Sequence, residues 1–124
     1  MVAGDTGRHL VTLWALDGEP RGSFGKLGQF DPADFSGCCN PVNVALAPDG
    51  TVVTGEKGTA RVKVYEPGGK LLAVIGPENF DPLTTAIRLA VDSRGRIVAA
   101  DAARREIRTF ARAGAPAGDA RGKD

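Results

Sequence analysis

Residues 40–76 decide the fold: Asn40-Pro41-Val42-Asn43-Val44-Ala45-Leu46-Ala47-Pro48-Asp49-Gly50 opens the stretch, and Lys70-Leu71-Leu72-Ala73-Val74-Ile75-Gly76 closes it. It reads as four short strands cut apart by turn chemistry. Val44-Ala45-Leu46 is an apolar run, and Pro48-Asp49-Gly50 is a tight-turn signal. Thr51-Val52-Val53-Thr54 is the second strand, followed by the polar loop Glu56-Lys57-Gly58-Thr59. Arg61-Val62-Lys63-Val64-Tyr65 alternates charged and apolar side chains, the period-2 pattern of a half-buried strand. Glu66-Pro67-Gly68-Gly69 turns the chain into the fourth strand, Lys70 to Ile75.

The pattern recurs on both sides. An offset of 45 downstream carries Val44 onto Leu89, Val52 onto Ile97, Glu56 onto Asp101 and Tyr65 onto Phe110. An offset of 51 upstream carries Glu56 back onto Asp5, Val62 onto Val11, Tyr65 onto Trp14 and Gly69 onto Gly18. Repeats of roughly 40–45 residues with four strands each are the signature of propeller blades. Trp14, Tyr65 and Phe110 share one strand position and are expected in the core.

Asp5-Thr6-Gly7-Arg8-His9-Leu10-Val11-Thr12-Leu13-Trp14 resembles the signature segment of NHL repeats, with Arg8-His9-Leu10 at the family's Asn-His-Leu triplet. Asn40-Pro41 through Asp49-Gly50 with Val62-Lys63-Val64-Tyr65, and Arg88-Leu89-Ala90-Val91-Asp92 with Gly95, Asp101 and Ile107, are similar to two further repeats. The resemblance spans residues 2–112. It implies an all-β fold, a partial β-propeller of four-stranded antiparallel blades, with blade parts at about 1–25, 40–76 and 87–112. Propellers of this family usually have six blades, which need about 270 residues. The ten strand candidates here suit the last three strands of one blade, a whole blade, and the first three of another. The chain is therefore expected to be a fragment of a longer propeller, with self-assembly through open blade edges and an open stack of sheets as the alternatives. Residues 113–124 have no apolar face and are expected to be a flexible, disordered tail.

The resemblance implies partner binding; some members bind RNA or protein, and others are lyases or sensor domains. The lyases hold metal with several histidines, and His9 is the single histidine here. Sixteen basic and fifteen acidic residues leave a net charge of +1, which recruits neither nucleic acid nor membrane. No apolar run reaches transmembrane length, and the N-terminus lacks the pattern of a leader. Cytoplasm is the default expectation, with a longer parent carrying its own export signal left open.

The loops Asp5–His9, Glu56–Ala60 and Asp101–Arg105 occupy one position in three repeats, and in propellers such loops share a rim with the crossings between blades. Asp5, Glu56 and Asp101 recur there. They are expected to accept hydrogen bonds from loop amides; a carboxylate ring facing a cation, or pairing with Arg104 or Lys57, is the alternative. The first crossing, Phe24 to Pro41, is six residues longer than the second, and the extra length is assigned to Phe35, Cys38 and Cys39. Phe30 and Phe35 are expected to plug the space between blades. Adjacent Cα atoms lie about 3.8 Å apart, short for a disulfide span. Cys38 and Cys39 thus stay open between reduced thiols, a redox-labile vicinal disulfide, and a metal or iron–sulfur site shared with another chain or with missing blades.

Residues 88–112 carry seven arginines, expected as a solvated face, and the low aromatic content gives no base-stacking platform. No Gly-x-Ser-x-Gly elbow and no glycine-rich phosphate loop occurs. The expectation is a noncatalytic protein-interaction or ligand-binding scaffold, no resident cofactor, and a binding rim of His9, Cys38, Cys39, Lys57, Arg104 and Arg105. The alternative is a redox- or metal-linked enzyme component using the Cys38–Cys39 pair, with these two cysteines as its metal-ligand candidates.

Overall fold

Short runs of alternating side chains, each stopped by a glycine turn, can satisfy their backbone only by pairing with a neighbour. The computed structural model describes residues 1–37 and 39–112. Its ten strands form three antiparallel sheets. The first holds β1 (Val2–Asp5), β2 (Leu10–Trp14) and β3 (Pro20–Phe24). The middle sheet holds β4 (Asn43–Leu46), β5 (Val52–Glu56), β6 (Arg61–Tyr65) and β7 (Leu71–Ile75). The third holds β8 (Arg88–Val91), β9 (Ile97–Asp101) and β10 (Glu106–Phe110). In every sheet the strands pair in chain order. One 3-10 turn, Pro77–Asn79, lies in the second crossing. Among the described residues no helix is long and apolar enough to cross a membrane. The expected tail at 113–124 lies outside the described residues.

The element boundaries keep the sequence offsets. β4, β5 and β6 shifted by 45 land on β8, β9 and β10, and β2 and β3 shifted by 51 land on β6 and β7. The irregularities at Leu13/Trp14 and Val64/Tyr65 are also 51 apart. Four hairpins close in one way: Gly18, Gly50, Gly69 and Gly95 take φ of 91°, 90°, 97° and 79°, and each amide donates to the carbonyl three residues back. A side chain at such a φ is strained, so glycine is what the turn requires.

Alternation gives each sheet two faces, and the middle sheet is covered on both. Val53 and Val62 pack with Phe80, Ile87, Ile97 and Ala99 toward the third sheet. Val52 and Tyr65 pack with Val11 and Phe35 toward the first. All five residues of β5 are buried as a result. β4 touches β1 on one side and β8 on the other. Gly55 allows a close approach to the second crossing, since a Cβ there would stand 2.8 Å from the Ile87 carbonyl oxygen.

Three sequence expectations change. Phe35 is fully buried, but Phe30 is 97% exposed and plugs nothing. The reason lies in the repeat: Phe35 stands 45 residues before Phe80, the plug of the second crossing, and the extra residues fall between Gly25 and Phe35. Phe35 and Cys39 therefore belong to the repeat, at the positions of Phe80 and Thr84, and the insertion carries Phe30 instead. Trp14, unlike its buried counterpart Tyr65, is exposed, because no described sheet covers its side of the first sheet.

Candidate functional site

The rim loops are built by hydrogen bonds from the crossings rather than by the loops alone. His9, at the left-handed φ of 57°, places Nε2 2.8 Å from the Gly37 carbonyl oxygen in the first crossing; since a carbonyl only accepts, Nε2 carries the proton. The buried Asn40 clamps Lys57 at two points. Its Nδ2 donates to the Lys57 carbonyl at 3.0 Å, and its Oδ1 accepts from the Lys57 amide at 2.9 Å. The β5–β6 loop then meets the second crossing, where the Gly58 amide donates to the Thr85 carbonyl at 2.8 Å and Lys57 bridges Ala86. The Ala103 amide donates to the Thr84 hydroxyl, tying in the β9–β10 loop. His9, the Cys39 crossing, Lys57, Arg104 and Arg105 thus lie along one connected rim. Cys39 is half-buried. Cys38 lies outside the described residues.

The three recurring acids are consumed locally. Asp5 accepts from the Arg8 amide at 3.2 Å and pairs with its guanidinium, as the turn-fixing expectation has it. Glu56 does something else. It is buried under the rim with Arg61 at 2.9 Å and Lys63 at 2.8 Å. Its Oε2 has no aligned hydrogen-bond donor, so its partner is the Lys63 ammonium as an ion pair. The alternation of β6 puts Arg61, Lys63 and Tyr65 on the face of Glu56, and all three reach the first crossing. Arg61 donates to Ser36 Oγ, Lys63 Nζ to the Asp34 carbonyl at 2.7 Å, and Tyr65 Oη to the Ala33 carbonyl at 3.0 Å. Burial lowers the Lys63 pKa, opposed by Glu56, and burial raises that of the Tyr65 hydroxyl.

Asp101 is likewise fully buried. It accepts from the Thr84 hydroxyl, the Asp81 amide at 2.8 Å and the Arg104 amide at 3.3 Å. Burial pushes its pKa up, but these donors and the Arg104 guanidinium outweigh burial and hold the carboxyl below its ordinary value. Arg108 reaches the Asn79 carbonyl at 2.8 Å, repeating the Lys63–Asp34 bond one repeat on. No carboxylate ring forms, and among the described residues no group of three or more His, Cys, Asp or Glu side chains is placed to hold a metal ion.

Cations face out. Lys57 and Arg105 are exposed and have no ion-pair partner among the described residues. Arg104 shares Asp81 and Asp101, both at 3.8 Å. Arg105 takes φ of 56°, the conformation of His9 at the same repeat position. Beside this end of the third sheet lies a groove of about 420 Å³ lined by Leu83, Thr84, Ala86, Arg88, Ala100 and Ala102, among others.

Sequence reading does not single out Asn40 as a site-building residue. Its signal was the polar side chain beside Pro41 in a crossing that must fold over the β5–β6 loop. Comparison with known protein families and with curated proteins finds no match to this chain.

Proposed function

We propose that this chain is a noncatalytic interaction scaffold built as part of an NHL-type propeller, and that its rim binds an acidic ligand or protein segment. One observation carries the proposal: the loops of three successive sheets are braced through the two crossings into one rim, whose recurring acids are held in internal ion pairs and hydrogen bonds while Lys57 and Arg105 are exposed with no ion-pair partner among the described residues. Such a rim offers a partner positive charge without the cost of breaking an internal ion pair. The constant offsets of 45 and 51 in strand position support the propeller part of the proposal.

The test uses a labelled octaglutamate peptide and fluorescence anisotropy at low ionic strength. Binding is expected to weaken with added salt and to be lost in the Lys57→Glu, Arg105→Asn double variant; asparagine tolerates the left-handed backbone at 105. Lys70→Glu, beside an opposite-side hairpin turn, is expected to bind as the unaltered chain does. Equal binding by the double variant and the unaltered chain overturns the proposal.

A further inference from the structure

We infer that the Phe30 loop of one copy of this chain docks into the groove on the third sheet of a second copy, head to tail.

The loop is the one part of the crossing that breaks the internal repeat, and it is braced. The Phe35 amide donates to the Lys26 carbonyl at 2.8 Å and the Gly28 amide to the Phe35 carbonyl at 2.9 Å. Asp31 closes the tip, its carbonyl accepting from the Asp34 amide and its Oδ1 from the Ala33 amide. Gly28 sits so tightly on Asp34 that a Cβ would stand 2.9 Å from the Asp34 Cβ. A rigid loop that holds a phenyl ring 97% exposed has little left to order on binding, which is how an aromatic anchor contributes most.

The groove has a counterpart inside the chain. On the middle sheet, Asn43 donates to the Ile87 carbonyl at 2.6 Å, Gly55 abuts that same carbonyl, Lys57 bridges Ala86 and Gly58 donates to Thr85. These four positions receive the second crossing. Shifted by 45 they become Arg88, Ala100, Ala102 and Ala103, and all four line the groove. The groove is thus the third sheet's receptor for a crossing segment, and no described residue covers it. Leu83 at its edge is 81% exposed, and Ile107, paired with Ala100, is 66% exposed. At about 420 Å³ it falls within the ~300–1,000 Å³ of pockets that hold a bound group.

A second copy fits by charge as well as shape. Asp31, next to Phe30, has no ion-pair partner among the described residues, and neither has Arg88 in the groove. The phenyl ring meets the alanine and leucine walls while Asp31 reaches Arg88. The contact is heterologous, so each copy keeps one loop and one groove for further copies, and the association closes into a ring or stays open according to the rotation between copies. It does not depend on what the rim binds.

Sedimentation velocity on the full chain, from micromolar to millimolar concentration, tests it. The unaltered chain is expected to associate with rising concentration. Phe30→Ser weakens the association at least about thirty-fold, the effect of truncating an anchor residue, and Ala102→Trp, which fills the groove, does the same. A mixture of these two variants regains association but stops at a one-to-one dimer, because one intact loop and one intact groove remain. Arg88→Asp weakens the contact, whereas Arg88→Lys, which keeps the charge, leaves it. A monomer at all concentrations, self-association unaffected by Phe30→Ser, or a mixture that stays monomeric overturns the inference. So does loss of binding to a different protein as the sole effect of Phe30→Ser.

Discussion

Truncating Phe35 to alanine removes the plug of the first crossing, and the structure fixes what that costs. The ring is fully buried, its centroid 5.8 Å from that of Tyr65 and 5.1 Å from the Lys63 ammonium. A buried Phe→Ala change costs about 3–5 kcal/mol. Opening the ring's place also lets water reach the Lys63 ammonium, whose burial is unfavourable, so the lower end, about 3 kcal/mol, is expected. A domain of this size holds about 5–15 kcal/mol in all, so the variant is measurable by urea unfolding followed through Trp14 fluorescence and far-ultraviolet dichroism. Phe80→Ala, the same position one repeat on, is expected to cost a similar amount. Phe30→Ala, at an exposed ring, is expected to stay within about 0.5 kcal/mol of the unaltered chain. A loss under about 1 kcal/mol for Phe35→Ala, or equal losses at Phe30 and Phe35, refutes the assignment of the plug.

Asn40→Ala removes both hydrogen bonds to the part-buried amide and carbonyl of Lys57, which is expected to cost about 1–3 kcal/mol in all; the urea midpoint measures it. Glu56→Gln leaves the buried Lys63 ammonium without its counter-ion and is expected to cost about 3–5 kcal/mol; Lys63→Met leaves Glu56 paired with Arg61 alone and is expected to cost less, and Glu56→Gln with Lys63→Met costs less than the two single changes together. A double-mutant cycle with no coupling contradicts the ion pair. Asp101 has its folded pKa below the unfolded one, so its contribution is fully present above about pH 4 and is lost as pH falls through the folded value. Melting temperature against pH is therefore expected to fall less steeply below pH 4 in Asp101→Asn than in the unaltered chain. Thr54 buries a hydroxyl without a hydrogen-bond partner among the described residues, and its repeat counterpart is Ala99; Thr54→Val is expected to be neutral or stabilising by about 1 kcal/mol in the same unfolding assay.

The strands were legible because two independent signals coincide in them. Alternation in Arg61–Tyr65 fixes which side chains share a face, and glycine turns fix where each strand stops, so the offsets carried strand positions to the residue. The crossings were less legible. Phe30 and Phe35 are chemically identical; the 45-residue match of Phe35 to Phe80 singles out the plug, and its contact with Tyr65 shows it. The rim loops were placed together by repeat position, but which of their groups are available depends on partners far apart in sequence. Glu56 is removed from the rim by Arg61 and Lys63, Asp101 by Thr84 and Asp81, and Lys57 is held out by Asn40. Repeat position alone treats Asp5, Glu56 and Asp101 as equals, and burial separates them.

The proposed binding surface is the rim that carries Lys57 and Arg105. Amide chemical-shift mapping of the labelled chain with octaglutamate addresses it most directly. Shifts are expected at His9, Lys57, Gly58 and Ala103 to Arg105, with none at the opposite hairpin turns around Gly18, Gly50, Gly69 and Gly95. Shifts confined to those turns, or none anywhere at peptide excess, contradict the claim.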